Sequence, residues 1–224
     1  MLVLGFDTAT PAVSVALHDG ERVISTASAL DARRHSELLM PMIAKVLADA
    51  GVPRTDLDAV AVGVGPGPYT GLRVGVVTAR VLGSVLGLPV HGVCSLDIIA
   101  ASVGSGREFL IATDARRQEV YWARYDAAGR RVAGPHVGRA GSIPEAAELA
   151  VAGAGGPLYP EAFGEVIGPA YPDAGVLCRL VAASLAPLSP GPSPGHPPLL
   201  AADPLYLRRP DARVPGPPKR VTPS

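Results

Sequence analysis

Ala59-Val60-Ala61-Val62-Gly63-Val64-Gly65-Pro66-Gly67-Pro68-Tyr69-Thr70-Gly71-Leu72-Arg73-Val74-Gly75 joins a short apolar run to a long stretch of helical spacing. Ala59 to Val64 has the length and branched side chains of a buried strand. Gly65 to Pro68 supplies a turn, and a helix is predicted from Thr70 to Leu86. The turn is not a dinucleotide fingerprint, because its glycines do not fall as GxGxxG. Nor is it a P-loop, since no Lys-Ser/Thr follows. It does open a helix, where unpaired backbone N–H groups can receive an anion. A tight turn held by prolines accounts for the same residues, and local chemistry does not choose between the two readings.

Outward from this unit the pattern repeats. Leu2 to Phe6 reads as a buried strand ending at Asp7-Thr8. Val13, Val15 and Leu17 alternate with Ser14, Ala16 and His18, and Asp19-Gly20 turns the chain into a returning strand from Arg22 to Ala29. Leu39, Met42, Ile43, Val46, Leu47 and Ala50 recur at helical spacing between Ser36 and Ala50, and Gly51 supplies the stop. Pro41 leaves the start of that helix open. Pro89 to Val93 is a further strand, with a short helix from Ser95. The order βββαβαβα predicts a mixed α/β sheet with crossover helices.

A second unit begins at Phe109 to Thr113, with paired strands near Glu119 to Tyr125 and Arg130 to Ala133. It then thins into Ala/Gly-rich sequence before a last helix at Val176 to Leu185. Residues 187–198 are so rich in Pro, Gly and Ser that they read as a linker or surface loop. Residues 208–224 carry five basic side chains against Asp211 alone, and read as a basic flexible tail. The organisation expected is thus 1–103, 104–207 and the tail 208–224.

The predicted helix after the turn has an uncommon composition. Gly71, Gly75, Ala79, Gly83 and Gly87 recur every four residues and so line one face. A glycine inside a helix costs roughly 1 kcal/mol relative to alanine, so the face should admit the close approach of another backbone. That backbone can be the chain's own sheet. Because Leu72, Val76, Val77, Val81 and Leu82 fill the other faces, two buried faces on one helix point instead to a protein partner.

Composition narrows the function. The 224 residues carry 20 basic and 20 acidic side chains, for a net charge of zero. That balance gives no general attraction to nucleic acid or anionic membrane. Cys94 and Cys178 fall in no CxxC motif and read as reduced cytoplasmic thiols. The opening residues lack a signal peptide's basic region, and Val74 to Leu88, interrupted by Arg80, is too short to span a bilayer. Asp7-Thr8 reads either as a carboxylate and hydroxyl near a phosphate or metal, or as an Asx turn. His35-Ser36-Glu37 lacks the HExxH pattern and reads as a solvated helix start. Asp114 to Glu119 reads equally as a solvated hairpin loop and as an active segment.

Several segments together resemble the TsaB/YeaZ family. They are Leu4 to Thr10 with Ser14 to Leu17, His35 to Leu39, Gly65 to Gly75, Asp114 to Arg117 with Glu119 to Tyr121, and Pro204 to Arg208, in family order. The resemblance implies an actin/Hsp70/sugar-kinase-like (ASKHA) fold of two ribonuclease-H-like lobes, the second degenerate. It implies a cytoplasmic, non-catalytic accessory subunit of the TsaD-type threonylcarbamoyltransferase that forms threonylcarbamoyladenosine on tRNA. A TsaE-type ATPase joins the cycle, and tRNA is met through the complex. ATP and a metal belong to the partner subunits, and no cofactor to this chain alone. Self-pairing of the free chain is left open.

In such families the partner contact uses the two N-lobe helices, which places Leu39, Met42, Ile43, Gly71, Gly75, Ala79 and Gly83 in it. Asp7, Thr8, Gly65, Gly67 and Thr70 would be the phosphate- or nucleotide-proximal loops. The catalytic paralogue holds its metal with two histidines spaced four apart, where this chain has Ser95 and Ile99, so no metal is expected. Pro68 replaces a more usual serine. A sugar- or acetate-kinase-like phosphotransferase, using Asp7 for Mg²⁺, and a peptidase are the alternatives.

Overall fold

The computed structural model describes residues 1–104, 106–186 and 197–208. The predicted meander is its first feature: β1 (Val3–Asp7), β2 (Ala12–His18) and β3 (Val23–Leu30) are antiparallel neighbours. The Asp19 carboxylate accepts the N–H groups of Glu21 and Arg22, both at 2.8 Å, and so closes the hairpin. β4 (Ala59–Gly63) runs parallel to β1, and β5 (Val90–Val93) parallel to β4, giving the order β3-β2-β1-β4-β5. Parallel pairing requires crossovers, which α1 (His35–Ala50) and α2 (Tyr69–Leu86) provide. Both helices stop on a left-handed glycine, Gly51 at φ 64° and Gly87 at φ 68°. Pro41 is inside α1 on its exposed side, where the lost backbone bond faces water.

The second sheet repeats the first in reduced form. β6 (Phe109–Asp114), β7 (Glu119–Tyr125) and β8 (Arg131–Arg139) form the meander, and β9 (Ala150–Ala152) lies parallel to β6. The order β8-β7-β6-β9 matches β3-β2-β1-β4. Where the first lobe has α1, the second has only 3-10 turns at Ala140–Ser142 and Ala146–Glu148. Where it has α2, the second has the four-residue α4 (Gly155–Leu158). α3 (Ser95–Ala100) and α5 (Ala174–Leu185) are exchanged: α3 packs on β6 and β7, α5 on β1, β2 and β4. Asp173 caps α5 by accepting the Val176 N–H at 3.0 Å. Two lobes of like topology, each covered by a helix from the other, make the ASKHA architecture expected from the sequence.

Four apolar clusters follow from this layering. One lies between the first sheet and α1/α2, with Leu4, Phe6, Val60, Leu72 and Val76. On the opposite face Val3, Ala59 and Ala61 meet Leu177, Cys178 and Val181 of α5. β1 and β4 are therefore covered on both sides, which is why they read as unbroken apolar runs. α3 and the second sheet share Leu96, Ile99, Phe109 and Tyr125, and the far face of that sheet holds Leu110, Val120, Ile143 and Phe163.

The expected boundary of β8 needs correction. The strand runs to Arg139, beyond the predicted Ala133. It is an edge strand, where Pro135 has no inner neighbour to disappoint. β9, α4 and the 3-10 turns were not expected. Of the Pro-rich stretch, residues 187–196 lie outside the described residues, as do 209–224 of the tail. Arg208, placed in the tail by sequence, is bound to the second lobe: it donates to the Ala115 carbonyl at 3.2 Å and pairs with Glu119.

Candidate functional site

Asp7 ends β1 and is 1% exposed. One carboxylate oxygen accepts the Ala9 N–H at 2.8 Å, and the other accepts the Ser95 hydroxyl at 2.5 Å. Ser95 Oγ in turn accepts the Gly65 N–H at 3.1 Å. The chain links β1, the loop before α2 and the start of α3. A Cβ at Gly63 would overlap the Asp7 carboxylate, and one at Gly67 would overlap the Ala9 carbonyl. The glycines of this loop are thus needed for close packing of the chain on itself. Gly65, at φ 93°, also needs the freedom of glycine.

Thr8 explains the first two glycines of α2. Its hydroxyl donates to the Gly71 carbonyl at 2.8 Å and accepts the Gly75 N–H at 3.0 Å, the two groups an α-helix joins directly. Only a missing Cβ at positions 71 and 75 lets β1 approach so near. Further along, a Cβ on Gly83 would overlap Val90 of β5. Gly71, Gly75, Ala79 and Gly83 are all buried. The small-residue stripe therefore faces the protein's own sheet, and its reading as an open partner surface is corrected.

Leu39, Met42 and Ile43 need the same correction, for they are core residues beneath α1. Of the residues expected near phosphate, Asp7 and Gly65 are buried, Thr8 and Gly67 are buried but line the walls of two clefts beside Pro68-Tyr69, and Thr70 alone is exposed. His35, read as solvated, is buried, with Nε2 2.8 Å from the Thr10 carbonyl.

Among charged and polar neighbours such as Glu37, Lys45, Asp49, Arg73 and Arg80, α1 and α2 also present exposed apolar side chains. Met40 is 49% exposed, and Val77, Val81 and Val85 are 55%, 53% and 76% exposed. The three valines recur every four residues on the side of α2 away from the glycines. Sequence reasoning placed Val77 and Val81 on the other faces of the helix and read those faces as buried, but it assigned the contact to the glycine row and did not name Val85. The signal of this second row is a valine period opposite a close-packed face.

Between the lobes, two clefts of about 250 and about 190 Å³ flank Pro68-Tyr69. Arg116 lines both, with Arg33, His35 and Thr70 in the larger and Arg208 in the smaller. Arg116, Arg117 and Gln118 all have left-handed backbone, at φ 63°, 57° and 63°, a conformation costing roughly 1–2 kcal/mol per residue. The Asp114 carboxylate supports this turn by accepting the Arg116 N–H at 2.7 Å. It is a shaped segment rather than a loose hairpin loop.

A buried polar pin joins the lobes nearby. The Tyr125 hydroxyl donates to Asp97 at 2.7 Å, and Arg131 of β8 lies 3.5 Å from the same oxygen. Burial pushes the Cys94 thiol up to about 12, so it is not a thiolate nucleophile. Ser95 and Ile99 are both buried, and among the described residues no three His, Cys, Asp or Glu side chains are grouped to hold a metal.

Burial also holds the Asp7 carboxyl above the usual carboxylate range, against the opposing hydrogen bonds from Ser95 and Ala9 and the nearby His35. A carboxyl raised by folding favours the native state in its protonated form. Its contribution is complete below the unfolded value and is lost as pH rises through the folded one. Asp7→Asn should therefore be as stable as the parent or more so at pH 7. It should also lack the parent's decline above about pH 4. Urea midpoints between pH 4 and 8 measure this. A variant that loses stability relative to the parent as pH rises would show that the ionised group stabilises the fold.

Comparison with known proteins agrees with this architecture. A family model described as TsaD, tRNA N6-adenosine threonylcarbamoyltransferase, matches residues 27–153. A Mycobacterium tuberculosis protein described as uncharacterized is 45% identical over 222 residues, covering 94% of this chain and 93% of that one. The tRNA threonylcarbamoyladenosine biosynthesis protein TsaB of Escherichia coli is 40% identical over 129 residues, 56% of this chain and 55% of that protein. The chain likewise spans 56% of a Mycobacterium leprae relative. The solved structure of YeaZ from Pseudomonas aeruginosa superposes with a TM-score of 0.74 at 29% identity, covering 92% of this chain and 99% of that one. Fold, sequence and sealed Asp7 region together define a two-lobed ASKHA-type protein. The chain belongs to the TsaB/YeaZ family.

Proposed function

We propose that this chain is the non-catalytic accessory subunit of a TsaD-type threonylcarbamoyltransferase, acting in the cytoplasm to form threonylcarbamoyladenosine beside the tRNA anticodon. The observation that carries the reading is the apolar crest of Met40, Val77, Val81 and Val85. These side chains are roughly half exposed. Covering them would contribute on the order of 3–6 kcal/mol before the cost of association, at about 1.5–3 kcal/mol for each fully buried residue.

The TsaD family model begins within β3, runs to the end of β9 and so includes both α1 and α2 of this chain. A TsaD-type subunit thus carries a counterpart of the same helix pair, and two like pairs can meet about a pseudo-two-fold axis. A second copy of this chain can use the same crest when the partner is absent. ATP, the metal and the TsaE-type ATPase act on the partner side, and tRNA is met through the complex. Enclosure of Asp7 by Ala9 and Ser95 supports a non-catalytic role over the phosphotransferase alternative. Among the described residues no helix is long and apolar enough to cross a membrane.

Reconstitution tests the proposal. The expected result is no tRNA modification by this chain alone, and modification by the TsaD-type subunit that depends on adding it. Steady ATP turnover by the isolated chain would favour the phosphotransferase instead.

A further inference from the structure

Beyond α5 the chain returns to the first lobe as a strap, residues 199–208. Leu200 exchanges both backbone hydrogen bonds with Gly92 of β5 at 2.8 Å, and the Leu205 N–H donates to the Val64 carbonyl at 2.8 Å. The strap thereby covers the open edge of the first sheet. It then runs beside α2. Asp203 pairs with Arg80 at 3.1 Å, and Tyr206 stacks on Tyr69 with ring centroids 4.6 Å apart. Arg73 lies over the Tyr69 ring, 3.9 Å from its centroid, and donates to the hydroxyls of both tyrosines.

Helical geometry places the strap against the crest. At 100° per residue Arg73 and Arg80 share one flank of α2, about 20° apart, and Val77 and Val81 follow about 40° and 80° further round. α1 borders the crest on the other side, where Gly71 meets His35. The outward surface is thus a valine ridge between α1 and the strap.

We infer that the strap is one wall of the partner surface, with Tyr206 and Asp203 orienting Arg73 and Arg80 toward the partner. This rests on the accessory-subunit reading and adds to it a second contact zone. Among the described residues no carboxylate pairs with Arg73, and Asp203 alone pairs with Arg80. The wall therefore carries one net positive charge, and the partner that fits is a helix with an apolar ridge and carboxylates on the flank facing the strap. The Arg80–Asp203 pair is too exposed to matter much to folding, which leaves recognition as its use.

Calorimetric titration with the TsaD-type subunit tests this, using Val81→Asp, Arg80→Glu, Tyr206→Ala and Tyr206→Phe. Arg80→Glu and Tyr206→Ala should each weaken binding roughly tenfold or more, and the loss with Arg80→Glu should shrink as salt rises. Tyr206→Phe, which keeps the stack and removes one of the two hydroxyls that hold Arg73, should fall between Tyr206→Ala and the parent. If Val81→Asp prevents binding while Arg80→Glu and Tyr206→Ala bind as the parent does, the strap is a bystander and only this inference fails. If all four bind as the parent does, the accessory-subunit reading fails with it. Should Tyr206→Ala not fold, the exposed Arg80→Glu decides the matter alone.

Discussion

Gly75→Leu is expected to leave the chain unfolded, or to lower its Tm by about 8 °C or more. Position 75 faces the Thr8 hydroxyl, which a Cβ would already overlap. A leucine must push α2 off β1, losing both Thr8 hydrogen bonds at about 1 kcal/mol each. It must also overpack a filled core, at about 1–3 kcal/mol, and open the contact around Leu72 and Val76. A total near 4 kcal/mol is a large part of the roughly 5–15 kcal/mol that holds a domain together, and each kcal/mol moves Tm by about 2–4 °C at this size. Gly141→Ala is the control, since nothing lies within 4 Å of its Cβ position and its φ is unremarkable for an L-residue. Thermal melting followed by circular dichroism measures both. A Gly75→Leu chain that melts like the parent would mean that α2 does not rest on β1 through this face.

The double variant Val77→Asp with Val81→Asp should behave in the opposite way. Both side chains are more than half exposed, so carboxylates there can stay hydrated and stability should change by less than about 1 kcal/mol. Binding to the TsaD-type subunit should fall by about a hundredfold or more, because two charges would be buried without partners at the centre of the contact. Self-association of the free chain should fall too, as sedimentation would report. The two variants thus separate the faces of one helix: the glycine face supports the fold, and the valine face is free to bind.

How far the sequence revealed this depended on what each pattern encodes. The continuous apolar runs of β1 and β4 identify strands because burial on both faces leaves no polar period, whereas the alternation in β2 suggests one wet face although Ser14, Ala16 and His18 are buried under α5. The second lobe was harder to read, since β9 is three small residues, Ala150 to Ala152, and the 3-10 turns carry no helical period. The apolar pattern of β8 fades after Ala133, although the edge strand runs on through Pro135 to Arg139. The spacing of Gly71, Gly75, Ala79 and Gly83 was plain, but spacing alone cannot say which neighbour the face meets. Thr8, sixty-odd positions earlier, supplies that answer only when β1 is in place. Asp7 left two readings open for a related reason: the Ala9 N–H bond bears out the Asx turn, and only Ser95, from the start of α3, shows that the other carboxylate oxygen is enclosed as well.

The central claim is that this chain works by holding a TsaD-type subunit through its outward α1/α2 face. Calorimetric titration of the purified chain into that subunit tests it most directly. A saturable complex formed by the parent, and lost in the Val77→Asp/Val81→Asp variant while its melting temperature is unchanged, is the result predicted. A parent chain that forms no complex, or a variant that binds as tightly as the parent, would contradict the account.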